Sequence, residues 1–159
     1  MSINIEQLRD EVVRPTLKFI DRWSMDAERL VIGTALVESR GEYLRQLNGG
    51  PALGLWQMEP ATEADIWANY LNFRLDGPQS LPARVRSLKA TYIGYPIPHL
   101  IASLPYACAM CRVHYLRVPE PLPTTPHGAA RYWKDHYNTH KGAGTVEKAM
   151  PWFEQAWRL

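Results

Sequence analysis

Near the start of the chain the apolar residues Ile5, Leu8, Val12, Val13, Leu17 and Ile20 recur at helical spacing, with Pro15 among them either starting a second helix or kinking the first. The next segment carries signals at both ends. Ser24 is placed to cap it, Asp26 and Glu28 fall in its first turn, and Gly41 follows Arg40 at its end, which predicts a helix over Ala27–Arg40. Asn48-Gly49-Gly50-Pro51 reads as a turn. Pro60 suits the first position of a helix over Ala61–Leu71. Asp76-Gly77-Pro78 and Tyr95-Pro96-Ile97-Pro98 mark loops around a helix near Ala83–Ala90, and a further helix is expected from His99 to Leu116. The proline-rich stretch from Val118 to Pro126 is a stiff, extended connector, after which helices fit Gly128–Asn138 and Thr145–Trp157. No run of β-branched alternation competes and no internal repeat is visible, so the expected class is mainly α.

Composition narrows this picture. With 159 residues, 46% hydrophobic and 21% charged, the chain fits one globular domain with a real core. Within it, residues 1–23 form an N-terminal helical segment, 24–144 the central body and 145–159 a C-terminal helix. Lys and Arg number 18 against 16 Asp and Glu, and the net charge of +2 with no basic block gives no reason to expect a nucleic-acid partner. The opening residues show no basic stretch followed by an apolar run, so no signal peptide is expected. No segment approaches the roughly 20 apolar residues of a membrane span.

Candidate chemistry then falls on a few positions. Cys108 and Cys111 have C-x-x-C spacing, but no second ligand pair follows and no strand precedes, so they read as small residues packed on one helix face. His136 and His140 stand four apart and invite a metal site with His114 or His127; no nearby Glu completes a metalloenzyme motif, so solvated or capping histidines are expected and no metal or other cofactor. Leu30, Thr34, Val37 and Glu38 share one mostly apolar stripe of the second helix. A carboxyl there is desolvated, which raises its pKa toward the range a general acid needs.

Downstream of Glu38-Ser39, after the Gly-rich turn, comes Gly54-Leu55-Trp56-Gln57-Met58-Glu59-Pro60-Ala61-Thr62, and later Tyr137-Asn138 with Gly142 and Gly144 close behind. In order and spacing these resemble the Glu-Ser, Gly-Leu-Met-Gln and Ala-Tyr-Asn-Ala-Gly signatures of soluble lytic transglycosylases with the goose-type lysozyme fold, including the bacteriophage-encoded proteins of that type. Trp56 replaces Met in the second signature; His136 precedes the Tyr-Asn pair where Ala is usual, and Thr139-His140 follows it in place of Ala-Gly. The resemblance implies a single lysozyme-like domain and peptidoglycan glycan strands as substrate. Phage virion proteins, of the tail or ejection machinery, are the further partners it suggests, with delivery in the virion or release at lysis.

It also implies residue roles. Glu38 is the catalytic acid and base for cleavage between N-acetylmuramic acid and N-acetylglucosamine, closing a 1,6-anhydro ring. Ser39 orients groups near the carboxyl, Gly54, Leu55, Trp56 and Gln57 form the glycan-holding turn, Tyr137 hydrogen-bonds close to Glu38, and Asn138 braces the site. Gly54 is expected to leave room for a sugar ring against the backbone. Trp56 has two open readings, stacking on glycan or packing in the core, while Trp67 and Tyr70 are expected to pack inward. Glu59, Glu63 and Asp65 suit the helix dipole, and the alternative is that one of them activates water, which makes the protein a muramidase. A non-catalytic virion component on the same fold is the third reading.

Overall fold

In the computed structural model, which describes residues 2–91, 96–138 and 142–159, helices account for all the regular structure apart from isolated backbone bridges. The first helix is continuous from α1 (Ile5–Gln7) through a π-helical stretch (Leu8–Val13) into α2 (Arg14–Phe19). The wider turn resolves the proline problem. Arg14 N–H bonds the carbonyl of Arg9, five residues back, so Pro15 falls in the opening turn of α2, where its missing N–H leaves no gap.

α3 (Met25–Ser39) begins as the caps predict, with the Ser24 hydroxyl accepting from Ala27 N–H at 3.1 Å. At its other end Arg40 itself takes the left-handed conformation at φ 55°, and Gly41 continues it at φ 67°. Glu28 does more than favour the helix dipole. Its carboxylate is buried and accepts both Arg14 Nε (2.9 Å) and Nη2 (2.7 Å), with Trp23 Nε1 adding a bond at 2.7 Å, so α2 is pinned to α3.

α4 (Pro60–Asn69), a 3₁₀ turn (Leu71–Phe73) and α5 (Leu81–Ser87) follow. The single helix expected from His99 to Leu116 is broken into α6 (His99–Ala102) and α7 (Leu104–Leu116). Ser103 is extended (φ −131°, ψ 105°) and its hydroxyl caps Tyr106 N–H, because in a continuous helix Pro105 would have no N–H for the Ile101 carbonyl and its ring would clash with it. Of the loop expected around Tyr95–Pro98, Tyr95 lies outside the described residues.

α8 (Pro126–Trp133) opens at a Thr125 cap and widens into a second π-helical stretch (Lys134–Asn138), and α9 (Val146–Trp157) starts at Thr145. α3 and α7 are buried on nearly every side, and one hydrophobic cluster runs from Leu8 to Ala156. α9 packs across α3 and α8. At that crossing Gly33 is required, since a Cβ there meets the Phe153 ring. The proline-rich connector is extended but not free: Val118 and Leu122 pack on the core, and the carbonyls of Glu120 and Thr124 accept from Tyr132 Oη and Trp157 Nε1. Among the described residues, no helix is long and apolar enough to cross a membrane.

Candidate active site

The cleft forms where the last turn of α3, the loop between α3 and α4, and the π-helical stretch after α8 converge over α7. That loop is held by short-range bonds. Leu53 and Met58 exchange both backbone hydrogen bonds (2.9 and 3.0 Å), Gly54 N–H reaches the Leu44 carbonyl at 2.9 Å, and the tight corner between them puts Gly54 at φ 74° and Gln57 at φ 45°. Gln57 Nε2 donates back to the Gly54 carbonyl at 2.8 Å, which fixes its amide at the rim of a cavity of about 520 Å³. Glu38, Gln46, Glu59, His114, Tyr137 and Asn138 also line it.

Glu38 ends the apolar stripe read from the sequence: Leu30 and Thr34 are buried beneath it, and the carboxyl emerges partly covered into the cleft. One oxygen accepts Trp133 Nε1 at 2.8 Å. Burial pushes its pKa from 4.5 up to about 7, with the Trp133 bond working in the opposite direction. A group with that value is a substantial fraction protonated at neutral pH and readily gives its proton up, as a carboxyl serving in turn as acid and base must. Trp133→Phe removes the bond that favours the anion, so the pKa of Glu38 is expected to rise further. A pH titration of activity, or of the carboxyl by NMR, then shows the Glu38 transition moved to more alkaline pH than in wild type.

The residues named from sequence are not all used as expected. Ser39 is buried, and its hydroxyl donates to the Ala35 carbonyl (3.1 Å) and accepts from Gly41 N–H (3.2 Å); one residue past Glu38 is a turn of roughly 100° around the helix, so it finishes α3 instead of orienting the carboxyl. Leu55 and Trp56 are core residues, with Trp56 1% exposed and its Nε1 donating to the Val31 carbonyl at 2.9 Å. The glycan reading of the Trp56 ring is thereby corrected: a side chain sealed in the core has no face left for a sugar. Tyr137 stands at the cleft with Glu38, and the partner of its hydroxyl there is the Trp56 carbonyl (2.7 Å). Asn138 accepts Lys134 Nζ at 2.9 Å, and Lys134 also reaches the Gly142 carbonyl, so the turn after α8 is tied to the strand of chain that follows it.

Gly54 is needed for a different reason from the one expected. A Cβ at this position collides with the Leu100 backbone carbonyl, so packing against α6, and not the approach of a sugar, demands glycine. Gly54→Ala combines that collision with positive φ and is expected to destabilise the fold by about 2–4 kcal/mol. Chemical denaturation measures this directly. Gly144 is a second close approach, where an added Cβ would meet the Trp133 ring and the Asn138 amide.

Two features escaped the sequence reading. Trp133 falls within the helix expected over Gly128–Asn138, and its bond to Glu38 joins residues 95 positions apart. Its spacing of four from Tyr137 on one helical face was the available signal. The other feature is His114, which lines the cleft with both ring nitrogens engaged. Nε2 donates to the His136 carbonyl (2.9 Å) and Nδ1 accepts from Arg117 (3.1 Å), itself paired with Asp65 at 2.5 Å. Burial, with Arg117 beside it, lowers the His114 pKa to about 4, so the ring is neutral and braces the turn carrying Tyr137.

Of the acids after Gln57, Glu63 accepts Tyr106 Oη (2.6 Å) and Asp65 is held by Arg117 and Asn69 (2.6 Å), whereas Glu59 faces the cleft. Trp67 donates to Tyr106 Oη, and Tyr70 packs against the core with Arg74 over its ring. Cys108 and Cys111 are free, fully buried thiols on α7, and burial raises the pKa of both. His136 contacts Glu120 at 3.3 Å; Thr139 and His140 lie outside the described residues. Among the described residues no three His, Cys, Asp or Glu side chains gather to hold a metal. Comparison with known proteins finds no matching family model, no similar curated protein and no similar solved structure.

Proposed function

We propose that the protein is a peptidoglycan lytic transglycosylase with a lysozyme-like fold, in which Glu38 is the sole proton carrier. The observation that carries this reading is a carboxyl with its pKa pushed up to about 7 at the floor of a cleft lined by Gln57, Tyr137 and Asn138. Protonated Glu38 gives its proton to the oxygen linking N-acetylmuramic acid to N-acetylglucosamine, and the C1–O bond breaks. The carboxylate left behind takes the proton of the muramic C6 hydroxyl as that oxygen bonds C1. One proton enters and one returns, no water is consumed, and the muramoyl end becomes a 1,6-anhydro ring. The substrate's acetamido group stabilises the cationic carbon, so the chemistry needs no second enzyme carboxylate.

A second reading has one observation in its favour: Glu59 lines the same cleft, and a water-activating role for it makes the protein a muramidase. Mass spectrometry of digested peptidoglycan separates the two. Anhydromuramoyl ends are expected; reducing ends sink the transglycosylase and leave the hydrolase. As the source of the chain we favour a bacteriophage, the enzyme opening the wall from the virion or at lysis. Its absence from purified particles excludes the virion route.

A further inference from the structure

We infer that the surface formed by the end of α2, the start of α3 and the Phe73-Arg74-Leu75 tip binds anionic membrane lipid, independently of the chemistry in the cleft. Phe73 and Leu75 are 80% and 92% exposed, flank Arg74, and extend outward from the 3₁₀ turn that follows α4. Phe19, Trp23 and Met25 add large exposed apolar side chains. The two groups are continuous. Arg84 donates from Nη1 to the Phe19 carbonyl (2.6 Å) and from Nε and Nη2 to Gln79 (both 3.0 Å), and Gln79 lines one concavity with Arg22, Arg74 and Leu75.

Charge decides between occupants. On this surface stand Lys18, Arg22, Arg74 and Arg84, against Asp21, Asp26 and Asp76. Asp21 lies 3.8 Å from Arg22, and Asp76 turns back to accept Gly77 N–H at 3.0 Å. Lys18 sits over the Trp23 ring at 5.1 Å and Arg74 over Tyr70 at 4.1 Å, so two of the cations stand directly against aromatic rings. Exposed aromatic and aliphatic side chains interspersed with cations match the boundary between acyl chains and anionic headgroups. A protein partner needs a preformed hollow for so protruding a tip; a fluid bilayer accepts it without one.

The tip also has a fixed relation to the cleft. α4 carries Thr62 of the cleft in its first turn and ends just before Tyr70, so the stretch from Thr62 to Asn69 puts roughly 10 Å of helix between the two sites.

The test is co-sedimentation of the full chain with vesicles of equal phosphatidylglycerol and phosphatidylcholine, beside vesicles of phosphatidylcholine alone. Wild type is expected to pellet with the anionic vesicles and to be released by salt. Arg22→Ala with Arg74→Ala should weaken binding roughly thirty-fold, and Phe73→Ser with Leu75→Ser roughly a hundred-fold. All four side chains lie at the surface, so unchanged thermal melting confirms that the variants fold, and Glu38→Gln should bind as wild type does whatever its activity. Wild type remaining in the supernatant with both vesicle types overturns the proposal and makes the tip a protein contact. Binding that neither pair of substitutions weakens overturns it as well.

Discussion

Glu38→Gln is expected to lower the rate of glycan cleavage roughly a thousand-fold while leaving the fold intact. The amide has nearly the volume of the carboxyl and keeps an oxygen to accept Trp133 Nε1, so the end of α3 has no reason to repack. What it lacks is the proton. A zymogram of the two proteins side by side reads the outcome, and clearing by the variant equal to that of wild type removes Glu38 from the chemistry. Absence of clearing from both turns the cleft into a glycan-binding or assembly surface instead.

The same substitution has a second signature in stability. Folding raises the Glu38 pKa from 4.5 to about 7, so the folded state holds this proton more tightly than the unfolded chain. The stabilisation that follows is fully present below about pH 4.5 and is lost as pH rises through about 7. Relative to Glu38→Gln, wild type should therefore lose on the order of 3 kcal/mol over that interval. Urea unfolding of both proteins at about pH 5 and about pH 8 checks this. A difference between them that stays constant with pH rules out the buried proton.

Much of the helical framework was readable because its signals are local. Ser24, Thr145 and Pro60 mark helix starts through bonds to residues three or fewer away, or through a ring that only a first turn tolerates. Where periodicity was allowed to override a local signal the reading failed: apolar spacing runs through Ser103 and Pro105, but the chain breaks there. Glu38 was legible as a candidate because a carboxyl on an apolar stripe is a local contradiction and because the Gly54-to-Thr62 run and the Tyr137-Asn138 pair follow it in order. Its partner was not, since nothing near residue 133 states that the indole N–H will meet residue 38. The roles of Ser39 and Gly54 failed for a related reason. A signature gives the order of residues along the chain, whereas the Ala35 carbonyl and the Leu100 carbonyl decide which way each of them faces.

Trp56→Ala should destabilise the protein by about 3–5 kcal/mol, through the cavity it leaves beneath α3. If the indole instead stacked on glycan, the same change would raise KM and leave unfolding almost untouched. Its burial and the bond from Nε1 to the Val31 carbonyl argue for the cavity. Trp56→Phe separates the contributions, because it keeps most of the ring and forfeits only that bond, at a cost of about 1–2 kcal/mol. The backbone of the same residue serves the site directly, since the Trp56 carbonyl accepts Tyr137 Oη and thereby sets where the turn after α8 meets the cleft. Loosening the indole should let that carbonyl drift. Trp56→Ala is therefore expected to lose activity at temperatures where circular dichroism still reports a folded chain, and Tyr137→Phe, which deletes the same bond from the other side, should reproduce part of that loss without the cavity. Full activity in Tyr137→Phe would leave the indole's packing as the only contribution of Trp56.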